Sequence, residues 1–238
     1  LTSAGEALAQ QCGTLLCGYR SALEYLEALV QGDAGVLSVA SSNTVAAYVL
    51  PHWLIEYRRS YNGVRIAARS TNSELVVAAL HDGEVEIGLV EMPELNPGRG
   101  FVAHPIGGDE LVLVCSPKLA QFPTREVDWD EIRKLPLVTR EYGSGVRAVV
   151  ERALSAARYR PEQVIELAGG EAVREAILAG LGIGFLSSLA VVRDIAEGLL
   201  VPLTLRGLGH LERGFRVFSK PFDELSIPAR NFLTLVTR

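Results

Sequence analysis

A chain of 238 residues, 48% hydrophobic and 21% charged, is long enough to bury one large core or two smaller ones without a covalent or metal staple. A net charge of −5, with no basic tract longer than Arg58-Arg59, argues against a nucleic-acid surface, which clusters Lys and Arg on one face. No apolar run approaches the ~18 residues of a membrane span, no signal segment opens the chain, and Cys12, Cys17 and Cys115 lack disulfide or zinc spacing, so the expected setting is reducing and cytoplasmic.

The chain opens at Leu1 rather than Met, so further sequence is expected upstream. Residues 1–34 read as a long helix. Ser3 and Glu6 have the spacing of a capping box, and Gly32-Asp33 supplies the stop. Leu8, Leu15, Ala22 and Leu29 repeat with a heptad period, and Cys12, Tyr19 and Leu26 form a second row four residues after the first. This is the pattern of a coiled coil, which predicts a self-pairing helix and hence a dimer; a long helix packed on its own domain is the alternative.

From Gly35 the pattern becomes strand, helix, strand. In GVLSVASSNTVAAYVLP, Gly35 to Pro51, Val36, Leu37 and Val39 read as a buried strand that runs into the polar turn Ser41-Ser42-Asn43-Thr44. Short hydroxyl and amide side chains there serve as helix N-caps, and the same free N–H groups form a ready anion cradle. A second strand, Val64 to Ser70, ends in the similar turn Ser70-Thr71-Asn72-Ser73. A helix carrying Val76, Ala79 and Leu80 follows, and then a short strand, Glu86 to Val90. This βαβαβ order predicts a mostly parallel sheet, whose ligands sit beyond the carboxyl ends of its strands, where both polar turns fall.

Met92 to Gly100 reads as a loop. Phe101 to Ile106 and Leu111 to Cys115 read as two strands joined across Gly107-Gly108. A second αβ set follows: strand Leu137 to Thr139, helix from Ser144, strand Val164 to Leu167, helix from Glu171 and strand Ile183 to Ser187. The tail adds a strand, Phe215 to Phe218, and a final helix. Three glycine-bearing turns stand out. Gly143-Ser144-Gly145 sits between strand and helix, as a capped turn or as a carboxylate or phosphate holder, and Gly169-Gly170 could also admit a ligand. GLGIGF, Gly180 to Phe185, has the wrong spacing and the wrong context for a dinucleotide fingerprint and reads as a helix stop. His52, His81, His104 and His210 are scattered without metal spacing, and no nucleophile elbow or P-loop is present. No catalytic residue, metal or cofactor is expected.

Several of these segments together resemble the LysR-type transcriptional regulators. LTSAGEAL at the start is similar to the family's LT-x-x-G-x-x-L, which closes a winged helix-turn-helix and opens a linker helix. GVLSVASSNTVAAYVLP, DGEVEIGLVE (Asp82 to Glu91), DELVLVCS (Asp109 to Ser116), REYGSGVR (Arg140 to Arg147) and GGEAVREAILAGLGIGFLS (Gly169 to Ser187) match family segments in family order, and the likeness covers essentially the whole chain.

The resemblance implies an α/β, two-lobed, periplasmic-binding-protein-like (type II) fold preceded by the coiled-coil linker helix. Residues 1–34 would be the linker, 35–106 and 211–238 one lobe, and 107–210 the other. A small effector, with an anion favoured by the donors at the helix starts, would sit between the lobes. Carried over by motif, Ser42, Asn43 and Thr44 line it from the first turn, Thr71 and Asn72 from the second, and Ser144, Gly145 and Val146 from the other lobe. Val146 stands where the family commonly has Thr, and Ala40 replaces a usual Gly, so that wall of the cleft is more apolar. The implied partners are the effector, a homodimer or homotetramer, and DNA only through a winged helix-turn-helix absent from this chain. No membrane and no enzymatic activity are expected. The rival reading is a free-standing solute-binding protein of a transport system.

Overall fold

The computed structural model describes residues 26–30, 34–91, 95–122 and 124–238, with residues 2, 5, 12, 19 and 23 singly. The Ser3–Glu6 capping box and most of the heptad positions therefore lie outside the described residues, as does the start of the Met92 to Gly100 loop. Residues 26–30 are helical, and the Leu29 side chain lies 3.4 Å from where a β-carbon on Gly35 would stand.

The chain then alternates as the period-2 and period-3.6 patterns require. Strand β1 (Val36–Ser42) leads into α1 (Asn43–Tyr48) and α2 (Leu50–Ser60), then β2 (Arg65–Thr71), α3 (Ser73–His81) and β3 (Ile87–Val90). Pro51 in the first turn of α2 explains why the apolar segment after Ser42 is two helices: its ring suits a helix start and disrupts a helix interior. Next comes β4 (Val102–Cys115), one continuous strand where the sequence suggests two. Gly107, at φ +113°, lies at a one-residue register shift in its ladder to the last strand, and the pairing continues on either side. The second half holds β5 (Glu126–Val127), α4 (Trp129–Ile132), β6 (Leu137–Arg140), α5 (Gly145–Ala156), β7 (Val164–Leu167), α6 (Gly170–Ala179), β8 (Ile183–Ser187), α7 (Ser188–Ala196) and β9 (Val201–Leu205). Strand β10 (Leu211–Ser219) and helix α8 (Ile227–Val236) close the chain.

The main path of the sheet runs β2-β1-β3-β10-β4-β8-β6-β7, so it passes unbroken from one half of the chain to the other. Strands β2, β1 and β3 are mutually parallel, as are β7, β6 and β8, while β10 and β4 pair antiparallel between the two sets. Alternation along the strands gives each half a core on each face. Leu37, Val39, Ile87, Leu89 and Val217 pack with Tyr57 and Phe232 on one face of the first half, and Ala40, Val90 and Phe218 pack with Val76 and Leu80 on the other. In the second half, Leu113, Leu137 and Phe185 pack with Val150 and Leu154, and Val114, Val138 and Leu186 pack with Val173 and Ile177. Each fully buried aliphatic or aromatic side chain contributes about 1.5–3 kcal/mol relative to an exposed one. The fold is thus a two-lobed α/β fold. No helix among the described residues is long and apolar enough to cross a membrane.

Packing is close where the chain enters β6 and β8. A β-carbon on Gly182 would stand 2.1 Å from the Pro136 carbonyl oxygen, and that oxygen accepts the Ile183 N–H at 2.9 Å. Gly182→Ala must therefore displace sheet backbone rather than a side-chain tip. The expected loss is about 1–3 kcal/mol, the usual cost of overpacking, measured as a lower midpoint in urea with an unchanged slope.

Candidate functional site

The carboxyl ends of the parallel strands of both lobes meet across a cleft. A cavity of about 380 Å³ lies there. From the first lobe it is lined by Asn43, Thr44, Ala46, Ala47 and Tyr48 of α1, with Ser70. From the second lobe come Arg140, Val146, Gly170, Arg174 and Ser187.

The helix starts carry the local chemistry. Ser42 occupies the N-cap of α1 in extended conformation, yet its side chain caps nothing. Ser144 holds the same place on α5, also without a cap bond. The hydroxyls of Ser42, Ser73 and Ser144 are buried and have no hydrogen-bond partner among the described residues. A buried hydroxyl left unpaired costs about 1–3 kcal/mol, so three of them along one interlobe seam are an unusual expense for a purely structural joint. Asn43 Oδ1 accepts a hydrogen bond from Ser70 Oγ at 2.8 Å, which steadies the turn.

On the facing lobe, Arg140 forks onto Glu141 through Nε and Nη2, both at 2.8 Å, and its Nη1 lies 3.5 Å from where a β-carbon on Gly170 would stand. Glu141 also accepts the Gly169 N–H at 3.0 Å. Burial pushes the Glu141 carboxyl up, but Arg140 and the Gly169 N–H outweigh it and hold the group below the usual carboxylate range. Arg174 grips Asp194 through two bonds of 2.7 and 2.6 Å, which raise its pKa, and Glu171 lies on its other side at 2.8 Å. The start of α6, at Gly169 and Gly170, thus opens on the cavity beside a guanidinium.

Behind the cavity lies a buried ion cluster that ties the lobes to the strands they share. Arg213 on β10 donates to Asp109 on β4 at 2.5 and 2.8 Å and to Thr44 on α1 at 3.3 Å, and its Nη1 stands 3.2 Å from Glu91 Oε1. Ser187 donates to Asp109 from the second lobe. Burial opposes the Arg213 charge, but Glu91 and Asp109 outweigh it and raise the pKa. Glu91 Oε2 has no hydrogen-bond partner among the described residues.

The residues singled out from sequence fall into three groups. Asn43, Thr44 and Val146 line the cavity. Ser42, Ser144 and Gly145 are buried in the closed seam beside it, where a β-carbon on Gly145 would meet the Glu91 carbonyl oxygen at 2.8 Å. Thr71 and Asn72 stand at the margin and do not line the cavity. Asn72 is engaged in capping α3 through the Leu75 N–H at 3.0 Å and in donating to the Tyr142 carbonyl at 3.4 Å. Sequence reasoning passed over Arg140, Arg174, Ser187, Glu91 and Arg213. Arg140 ends β6, Glu91 follows β3, and Arg174 and Ser187 lie in the Gly169 to Ser187 segment, so all four stand in the segments that carry the resemblance, which was the available signal; Arg213 had none.

This two-lobed arrangement with an interlobe cavity is that of an effector-binding regulatory domain. The family model for the LysR substrate binding domain matches residues 31–238, and the chain belongs to that family. It is 35% identical over 191 residues to an uncharacterized HTH-type transcriptional regulator of Mycobacterium tuberculosis, covering 76% of this chain and 60% of that protein. It is 30% identical over 218 residues to the uncharacterized HTH-type transcriptional regulator YeiE of Escherichia coli, covering 85% of this chain and 73% of the relative. Among solved structures it is similar to the CcmR regulatory domain of Synechocystis in complex with 2-PG, with a TM-score of 0.73 and 24% identity over 85% of this chain and 96% of that one. Curated relatives are longer than the chain, which spans from 41% to 75% of their length. The family is regulatory.

Proposed function

We propose that the chain is the sensing part of a DNA-binding transcriptional regulator and that the cleft takes a small anionic metabolite. The observation that carries this reading is the set of unpaired buried hydroxyls, Ser42, Ser73 and Ser144, contributed by both lobes along one seam. The start of α6 presents the positive end of its helix dipole to the cavity, while the neighbouring Arg140 is already paired with Glu141. Effector binding favours one lobe arrangement to the extent of its differential affinity for the two.

The lobes divide at residues 35–106 with 211–238 and at 107–210, and Ser42, Asn43, Thr44, Thr71, Asn72, Ser144, Gly145 and Val146 form or border the site. The regulator acts in the cytoplasm as a homodimer or homotetramer through a linker helix. Cys12, Tyr19 and Leu26, one row of the heptad, are all exposed on the single chain, which suits pairing with a second copy. DNA is reached through a winged helix-turn-helix outside these residues, and the cleft binds without transforming. A free-standing transport protein is disfavoured by the LysR family match together with the likeness to the named regulators.

A thermal-shift screen of small organic and inorganic acids tests the site. At least one acid is expected to raise Tm. In Ser42→Ala, Tm without ligand should be unchanged or higher, because an unpaired buried hydroxyl is removed, while affinity for that acid drops roughly 10–100-fold, as befits one hydrogen bond to a charged group. Equal affinity in the variant places the ligand elsewhere. Tight, salt-sensitive, sequence-specific DNA binding by this chain alone would overturn the division of labour.

A further inference from the structure

The cavity between the lobes is apolar along its sides. Ala46 and Ala47 on α1, Val146 on α5, Leu186 on β8 and Ala190 on α7 supply aliphatic surface from both lobes. The hydroxyls that line it are engaged within the chain: Ser70 donates to Asn43, Thr44 accepts from Arg213, and Ser187 donates to Asp109. Its volume, about 380 Å³, lies within the roughly 300–1,000 Å³ of ordinary small-molecule sites. An inorganic oxyanion would leave most of that space empty, and a polyhydroxy acid would set its hydroxyls against side chains that neither donate nor accept.

The polar end is the start of α6. Gly169 caps this ten-residue helix at φ +86° and has no side chain to bond its first turn. The N–H groups of Gly170, Glu171 and Ala172 accordingly have no hydrogen-bond partner among the described residues. Arg140, 2% exposed, reaches the same point. Its Nε and Nη2 fork onto Glu141, but its Nη1 makes no hydrogen bond among the described residues and stands 3.5 Å from where a β-carbon on Gly170 would lie. Charge at this end is limited. Arg140 is matched by Glu141, and Arg174 by Asp194 and Glu171, so the cavity offers free donors without a surplus cation. Such donors hold one negative charge; a second would enter a partly desolvated site uncompensated.

We propose that the cleft selects a monocarboxylate with a compact apolar body and that Val146 is its specificity-determining residue. The proposal rests on the reading of the cleft as the effector site and names what that site accepts. The carboxylate lies at Arg140 Nη1 and the free N–H groups of α6, and the body lies against Ala46, Ala47, Val146 and Leu186. Val146 presents an isopropyl group where Thr, of equal volume, would offer a hydroxyl, so the wall rejects hydroxylated acids.

The test is calorimetry and amide chemical shifts of the chain with benzoate, cyclohexanecarboxylate and isovalerate, beside gluconate, glutarate, glycerol phosphate and sulfate. At least one of the first three is expected to saturate below ~10 mM, the weak end of specific affinity, with shifts at Thr44, Val146, Gly170 and Ser187. It should bind at least about tenfold tighter than each of the other four, as a few buried methylene groups dictate. Val146→Thr should weaken that acid about fourfold, the worth of one buried methyl group, and leave gluconate unchanged or tighter. Arg140→Gln combined with Glu141→Gln removes the guanidinium without stranding a carboxylate and should weaken the acid by about tenfold or more. Glu141→Gln alone, which leaves Arg140 uncompensated, should tighten it. If none of these compounds binds, the reading of the cleft as an anion site falls, and this proposal with it. If gluconate, glutarate, glycerol phosphate or sulfate binds there as tightly as the apolar acids, the cleft reading stands and this proposal alone is overturned. It is likewise overturned if the shifts fall outside the cleft, if Val146→Thr leaves the preference unchanged, if the double variant binds as the parent does, or if Glu141→Gln fails to tighten the acid.

Discussion

Arg213→Leu is expected to destabilise the chain by about 3–5 kcal/mol, the usual result of breaking a buried ion pair from one side. In a chain of this length that corresponds to a fall in Tm of roughly 10 °C. The cost comes from what is left behind. The side chains of Asp109 and Glu91 are buried, and Arg213 pairs with both carboxylates. Asp109→Asn should be milder, because Arg213 keeps Glu91 as a counter-charge and the amide oxygen still accepts a hydrogen bond. The measurement is thermal or urea unfolding of both variants beside the parent. A loss under about 1 kcal/mol in Arg213→Leu would mean that water reaches the cluster and that the lobes open readily at this seam.

Gly145→Val is expected to separate the lobes without unfolding them. Gly145 is the first residue of α5, a position that tolerates most side chains for helix formation, but here a β-carbon would lie 2.8 Å from both the Glu91 carbonyl oxygen and its Cγ. The obstruction is the facing lobe's backbone, so the relief available is movement of one lobe against the other. The chain should keep its helical signal and most of its stability while small-angle scattering reports a larger radius of gyration. Affinity for any acid identified in the cleft should drop at least 100-fold, since the binding-competent arrangement is no longer populated. Unchanged scattering and affinity would show that α5 can shift within its own lobe.

The fold was legible because alternation along the strands and amphipathic spacing along the helices agree with one another. Leu37 and Val39 against Ala40, and Val146, Val150 and Leu154 along α5, sit where their periods direct. Two element boundaries were misread for local reasons. Gly107-Gly108 looks like a turn but lies within β4, because glycine tolerates the positive φ of a bulge and the ladder to β10 resumes one residue out of register beyond it. The apolar segment after Ser42 reads as one run but is two helices, the second beginning around Pro51.

The site was legible only where chain neighbours create it. Asn43 and Thr44 follow from the turn after β1, and Val146 from the turn after β6. Arg213, Asp109 and Glu91 lie far apart in sequence and come together through the crossing of β4, β10 and β3, a juxtaposition that no local pattern encodes. Asn72 shows the opposite limit. Its position at a strand end suggested a ligand contact, but the start of α3 uses its side-chain oxygen.

The unbroken sheet separates two tasks. What the cleft accepts depends on side chains at the loose ends of β1, β2, β6, β7 and β8, whereas how the halves move relative to each other depends on the ladder between β4 and β10, whose register shifts between Gly214 and Arg216. Substitutions at the strand ends leave that ladder intact. Under the proposed function, changes at the strand ends would retune which ligand the cleft takes without touching the strand pairing that joins the two halves.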